Sequence, residues 1–240
     1  MLQQFSKVFE TPQGLPLVRS LDHQITLKLG AKPFKLKPCR YPYAHKTEIE
    51  QQVAEMLTNG IITHSGSAFA SPVLLVKKKD NTWRLYVDYR KLNEMTVKDR
   101  FPIPNIDELL HELHGTKYHS KQELTVGYHQ LRVKAIDVPK TAFQTHHGCS
   151  EFLVMPFGLT SAPTTFQTLM KQIFQPYLRK FVLVFFDDFL VYSPTLEMHV
   201  QHLQIVQGLL AENQLYCKQS KYTFAQTSME YLGHIIFEKD

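Results

Sequence analysis

The chain has 240 residues, 43% hydrophobic and 20% charged, enough apolar material for one substantial core or two small subdomains, so a disordered or fibrous chain is excluded. Ten Gly and thirteen Pro are ordinary usage, and no apolar run approaches the roughly 18 residues of a membrane helix. Lys and Arg outnumber Asp and Glu by 27 to 22, a modest excess whose local distribution says more than its total.

The first residues, Met1 to Lys7, have neither the basic flank nor the apolar stretch of a signal peptide. Cys39, Cys149 and Cys217 are an odd number without a CxxC pair, which argues against a disulfide framework and a cysteine zinc site. Reduced thiols and an intracellular location, cytoplasmic or nuclear, are expected. From Lys28 to Lys46 there are six basic residues and no acidic one, with Phe34, Tyr41 and Tyr43 interleaved. Such a stretch serves as a solvated face, or as a surface for a nucleic-acid backbone with exposed bases.

Thr47 to Gly60 reads as a helix, with Thr47 and Glu50 as a capping box and Ile49, Val53, Met56 and Leu57 on one face. Val73–Val76 and Leu85–Val87 then flank Lys77–Thr82 as a hairpin with a basic tip. Asn105 to Gly115 is a second helix carrying Ile106, Leu109, Leu110 and Leu113. A third begins near Ser161 with Pro163 in its first turn and turns Phe166, Leu169, Met170, Ile173 and Phe174 inward. Val182–Phe186 and Phe189–Tyr192 flank Asp187–Asp188 as a hairpin with an acidic tip. A last helix, from about Pro194 to Asn213, places Leu196, Val200, Leu203, Val206 and Leu210 at helical spacing. Without a regular strand-helix-strand rhythm, the class is α+β. His146, His147 and Cys149 crowd together with no fourth ligand at zinc spacing and read as surface or turn residues.

Asp187 and Asp188 are the sharpest local feature. Adjacent carboxylates in a turn are usually solvated turn formers. Fixed between strands this apolar, they repel each other unless a divalent cation intervenes, and carboxylate oxygens suit Mg²⁺. A two-metal site needs another carboxylate; Glu123, just before Gly127-Tyr128-His129-Gln130, is a candidate, although on spacing alone it is one acidic residue among twenty-two and reads better as a surface Glu.

The segment Val184–Ser193 resembles the aromatic-x-Asp-Asp motif of reverse transcriptases, specifically those of gypsy-class long-terminal-repeat retrotransposon polyproteins. Other blocks match in order: Leu74–Asp80 with Trp83–Asn93, Gly127–Gln130, Lys140–Phe143, Phe152–Pro163, Lys221, and Tyr231–His234. Together they cover the chain from about Phe5 to Ile236. The resemblance implies a right-hand polymerase: an N-terminal extension over 1–27, fingers over 28–96 and 134–155, and an antiparallel palm over 97–133 and 156–240. It also implies that the thumb is absent or truncated here, and that the RNase H and integrase regions of a polyprotein lie outside this chain.

The activity implied is RNA-directed DNA polymerisation: a primer 3′ hydroxyl attacks the α-phosphate of a deoxynucleoside triphosphate on an RNA or DNA template, with two Mg²⁺ ions (or Mn²⁺ in their place) lowering the hydroxyl pKa and neutralising pyrophosphate. By resemblance, Glu123, Asp187 and Asp188 hold the metals and Lys78 and Arg84 clamp the triphosphate. Tyr128 gates against a 2′ hydroxyl, Phe157 lies in the nucleotide pocket, and Lys221 assists pyrophosphate departure. Outside that context, the basic residues are solvated side chains and the aromatics are core. The family's first catalytic carboxylate is Asp; Glu123 carries its carboxylate one methylene farther, while Mg²⁺ demands near-ideal octahedral geometry. An impaired polymerase is therefore expected, with Gln122, Cys149-Ser150 and Tyr222 as further departures. The alternatives are a catalytically inactive nucleic-acid-binding relic and a metal-dependent phosphodiesterase, the last of which makes no use of Lys78, Arg84 or Tyr128.

Overall fold

A computed structural model describes residues 2–78, 81–99, 105–186 and 188–237. It forms two compact units. One, from Gln13–Asp99 and Tyr128–Ala162, holds a five-stranded sheet; the other, from Met1–Pro12, Arg100–Gly127 and Pro163–Asp240, holds a four-stranded sheet. The fold is thus α+β with largely antiparallel sheets. Among the described residues no helix is long and apolar enough to cross a membrane.

The divisions between units fall at 12/13, 99/100, 127/128 and 162/163. Hydrogen bonds show why residues 13–27 join the five-stranded unit: His23 N donates to Arg132 O at 2.8 Å, Lys134 N donates to His23 O at 2.9 Å, and Arg132 Nε reaches Pro16 O. The 3₁₀ helix Leu2–Phe9 belongs to the other unit, where Cys217 N donates to Val8 O at 2.7 Å.

In the five-stranded unit, helix α1 spans Tyr43–Thr58 and α2 spans Arg90–Met95. The strands are β1 (Ile62–His64), β2 (Ser71–Lys77), β3 (Trp83–Val87), β5 (Phe143–Gln144) and β6 (Cys149–Phe152), in the order β1-β6-β5-β2-β3. Among these strands the short β2–β5 pairing is parallel and the others are antiparallel. Thr47 is not the cap of α1. The helix starts four residues earlier, because the fixed φ of Pro42 presets the turn and its carbonyl accepts from His45 N and Lys46 N. The open edge of β3 is covered by α1: Gln52 donates Nε2 to Trp83 O and accepts Leu85 N on Oε1, so neither backbone group is orphaned. The β2–β3 hairpin has Lys78 N donating to Thr82 O at 2.8 Å and Asn81 at φ +66°. Lys79 and Asp80 of its tip lie outside the described residues.

In the four-stranded unit, β4 (Tyr118–Glu123), β7 (Val182–Phe185), β8 (Asp188–Ser193) and β9 (Thr223–Gln226) run antiparallel in the order β7-β8-β4-β9, beside a β10–β11 hairpin (Ser228–Tyr231, His234–Phe237). Helix α3 (Ile106–His111) is capped by the Asn105 side chain, which accepts Asp107 N. Helix α4 (Ala162–Phe174) buries Phe166, Leu169, Met170 and Phe174, the last packing its ring 5.6 Å from Phe189. Helix α5 (Leu196–Glu212) is capped by Thr195, which accepts Met198 N. The expected α5 face needs one correction. Leu196 is 42% exposed in the first turn, and the inward face includes two polar residues, His199 and Gln207, with Leu203, Val206 and Leu210. A cluster of Leu113, Leu183, Leu190, Tyr192, Tyr231 and Ile236 forms part of the core.

Candidate active site

The acidic end of the four-stranded sheet is built by register. β7 and β8 were expected to leave both aspartates in the turn, but β8 begins at Asp188. It does so because β4 runs alongside it far enough for Glu123 to pair with Asp188, while Phe185 pairs with Asp188 from the other side. Directly opposed residues of an antiparallel pair have their Cβ atoms on the same face, about 4.5–5.5 Å apart. Glu123 and Asp188, both half-buried, therefore share a face. Asp187 lies outside the described residues.

Side chains alternate along a strand, so Lys121 shares the face of Glu123. Its Nζ lies 3.0 Å from Asp188 Oδ2 and 5.9 Å from the centre of the Tyr231 ring. Burial, followed by the Asp188 charge, pushes the Tyr231 hydroxyl well above its usual range. Lys121, Glu123, Lys221, Tyr222 and Glu230 line one cavity of about 460 Å³, which brings Lys221, in the 3₁₀ turn Gln219–Lys221, beside the acidic edge.

The turn after β7 is held from α4. Gln167, 2% exposed, accepts Phe186 N on Oε1 at 2.8 Å and donates Nε2 to Val184 O at 3.2 Å. Phe186 sits at φ +50°, and Val126, three residues past Glu123, sits at φ +45°. A β-branched residue in the left-handed region is strained, and such outliers cluster at functional sites. Behind the sheet, Gln122 is buried and accepts Gln207 Nε2 at 2.9 Å and the Cys217 thiol at 3.6 Å. A polar pair between β4 and α5 thus replaces the apolar contact that the strand pattern calls for.

The remaining expected residues lie in the five-stranded unit. Lys78 is exposed at the end of β2. Arg84, on β3, stacks its guanidinium 4.5 Å from the Phe157 ring centre and 5.3 Å from that of Tyr86. Tyr128, in the 3₁₀ turn Gly127–Gln130, has its ring 5.0 Å from Phe157, and His129 lies 5.5 Å from the same ring. Burial, followed by the Arg84 charge, pulls His129 down to about 4, so at neutral pH the imidazole adds no charge beside the guanidinium. Gly158 follows at φ +93°, a backbone conformation that strains any residue with a Cβ, although that Cβ would meet Val87 O and the Tyr89 ring only at ordinary contact distances of 3.5 and 3.6 Å. Sequence reasoning missed Lys121, Gln167 and His129. For Lys121 the period-two spacing from Glu123 was a usable signal.

Residues 76–236 match the family model described as reverse transcriptase (RNA-dependent DNA polymerase). The chain belongs to the reverse transcriptase family. It is 42% identical over 204 residues to the retrovirus-related Pol polyprotein from transposon 297 of Drosophila melanogaster, covering 82% of this chain and 19% of that protein. It is 35% identical over 242 residues to the Pol polyprotein from transposon opus of the same organism, covering 98% and 24% respectively. The chain therefore spans about a fifth to a quarter of these relatives' length. The fold matches a foamy viral protease-reverse transcriptase solved in complex with an RNA/DNA hybrid, with a TM-score of 0.87 at 19% identity, covering 99% of this chain and 32% of that one. Reverse transcriptases generally use divalent metal ions. Two opposed, half-exposed carboxylates are hard oxygen donors of the kind such ions take, so Glu123 and Asp188 fit that requirement.

Proposed function

We propose that this chain is the RNA-directed DNA polymerase domain of a gypsy-class retrotransposon polyprotein, its four-stranded unit serving as palm and its five-stranded unit as fingers. The observation that carries this reading is the pairing of Glu123 with Asp188 at the end of β4 and β8. Glu123, Asp187 and Asp188 would hold two Mg²⁺ ions, with Asp187 assigned from sequence order alone. When bound, these ions supply a lower pKa for the primer hydroxyl and charge neutralisation on the departing pyrophosphate.

The chain's own residues do the rest. Lys78 and Arg84 bind triphosphate oxygens, Arg84 held in orientation by the Phe157 ring beneath it. Tyr128, packed on Phe157, fills the space that a 2′ hydroxyl would need. Lys221 donates to the pyrophosphate from the cavity it shares with Glu123. The basic, aromatic-interleaved segment from Lys28 to Lys46 binds template phosphates and bases.

A second reading, a nucleic-acid-binding relic, is favoured by Glu123 itself. Its carboxylate is displaced by one methylene, and a misplacement of about 1 Å costs roughly 100-fold in rate. Primer extension with Mg²⁺ and with Mn²⁺, run beside Glu123→Asp, separates the two. Weak extension that Asp raises by roughly 100-fold supports an impaired polymerase. Salt-sensitive binding to an RNA/DNA hybrid with no extension by either protein supports the relic.

A further inference from the structure

The hairpin joining β5 to β6 carries His146 and His147 at its tip, and the tip is pre-shaped by its own backbone. Thr145 N donates to Gly148 O at 2.9 Å, and Thr145 Oγ1 accepts His147 N at 3.2 Å. Glu50, one turn into α1 from Lys46, projects toward the same tip. Its Oε1 lies 2.7 Å from His146 Nε2 and 2.7 Å from His147 Nε2, with the two imidazole centres 4.5 Å apart. By spacing alone His146, His147 and Cys149 lack a fourth ligand and read as surface or turn residues. The missing ligand is 96 residues away in the chain and adjacent in the fold.

We propose that Glu50, His146 and His147 form a binding site for a borderline transition-metal ion, with Zn²⁺ as the type case. The three ligand atoms lie within 4.8 Å of one another, and among the described residues no other His, Cys, Asp or Glu group meets that condition. Two imidazoles and one carboxylate, with a further position left to water, are the donor set of three-ligand zinc sites. Imidazole nitrogen selects Zn²⁺, Co²⁺, Ni²⁺ or Cu²⁺ over Mg²⁺ and Ca²⁺, which prefer all-oxygen shells. Ligand atoms about 2.0–2.2 Å from a tetrahedral centre are roughly 3.3 Å apart. The 2.7 Å nitrogen-oxygen distances need to open by roughly 0.6 Å, a motion open to side chains at the surface.

Without a metal, both imidazoles direct Nε2 at one carboxylate oxygen, and their hydrogen bonds hold the Glu50 carboxyl below its ordinary range. Metal binding moves each imidazole proton to Nδ1 and leaves Nε2 as the donor. The ion then ties α1 to the β5–β6 hairpin within the five-stranded unit. This site shares no residue with the carboxylate edge of the other unit, so the two readings stand or fall separately.

The test is calorimetric titration of the full chain, made without a polyhistidine tag, with ZnCl₂ in the presence of excess Mg²⁺. One equivalent of Zn²⁺ should bind, and Co²⁺ should give the visible absorption of a tetrahedral nitrogen-oxygen site. Replacing one direct ligand, in His147→Asn or in Glu50→Gln, should weaken this binding by at least about 100-fold. Because the His147 side chain is 68% exposed, His147→Asn should keep the metal-free melting midpoint. No Zn²⁺ binding by the unaltered chain overturns the proposal. So does binding that survives both substitutions, which assigns the ion to thiols or other histidines.

Discussion

Lys121 Nζ lies 3.0 Å from Asp188 Oδ2, on the same sheet face that presents Glu123. The ammonium pairs with Asp188 and, on the proposed function, would compete with a cation bound there. Both side chains are a little over a quarter exposed, so the pair is worth at most about 1 kcal/mol. Lys121→Met should therefore cost little stability and tighten divalent-cation binding by about two- to five-fold. Mn²⁺ titration followed by electron paramagnetic resonance reads this directly. Weaker binding in the variant would show that Lys121 positions Asp188 rather than competes for it.

Gln167 holds the β7–β8 turn at two backbone points, Phe186 N and Val184 O. Gln167→Leu keeps the volume and removes both hydrogen bonds, leaving groups unpaired at a cost of about 1–3 kcal/mol. For a chain this size the melting midpoint should fall by roughly 2–4 °C per kcal/mol. Because the turn leads directly into Asp188, primer extension should fall by more than the loss of folded protein explains. An unchanged midpoint would remove Gln167 from this role.

Elements defined by apolar periodicity were legible in the sequence. Helices α3, α4 and α5 and the strand pairs β2–β3 and β7–β8 lie where spacing placed them, to within a few residues. The misses share a cause, namely contacts between residues remote in the chain. Asp188 reads as a turn residue until β4 pairs with β8, and Glu50 reads as half of a capping box until the hairpin tip meets it. Polar residues on buried faces, such as Gln122, Gln167, His199 and Gln207, break the hydrophobic pattern, and only their partners explain them. The short α2 and the β9, β10 and β11 strands carry too few apolar repeats to announce themselves.

Arg84 stacks on the rings of Phe157 and Tyr86. A lysine keeps the charge but loses the planar guanidinium that stacks and forks onto phosphate. Exposed cation-π contacts are worth about 0.5–1 kcal/mol. Arg84→Lys should accordingly raise the apparent KM for deoxynucleoside triphosphate by at least about two- to five-fold, with Phe157→Leu giving an effect of similar size. Steady-state extension over a nucleotide series checks both. A wild-type KM in Arg84→Lys would assign triphosphate binding elsewhere.

His199 links the stability of the four-stranded unit to pH. It is fully buried between β4, β8 and α5, with Nε2 2.7 Å from Ser120 Oγ and Nδ1 2.9 Å from Ser193 Oγ. Burial first, then the neighbouring His119 and His202, pulls its pKa down to about 4. Burial also brings His23 and His129 to about 4 in the five-stranded unit. In the unfolded chain each titrates near 6.5. As pH falls from about 6.5 toward 4, the unfolded chain therefore takes up protons that the folded chain refuses, and stability drops. It is complete above that window. Each such group contributes a slope of up to about 1.4 kcal/mol per pH unit. Chemical unfolding between pH 7.5 and 4.5 should show this decline, and His199→Gln should be less stable at pH 7.5 yet flatter by about one proton across the window. A profile that is level from pH 7 to 5 in the unaltered chain would mean that these imidazoles meet water, and hence that the layer between β4, β8 and α5 is open.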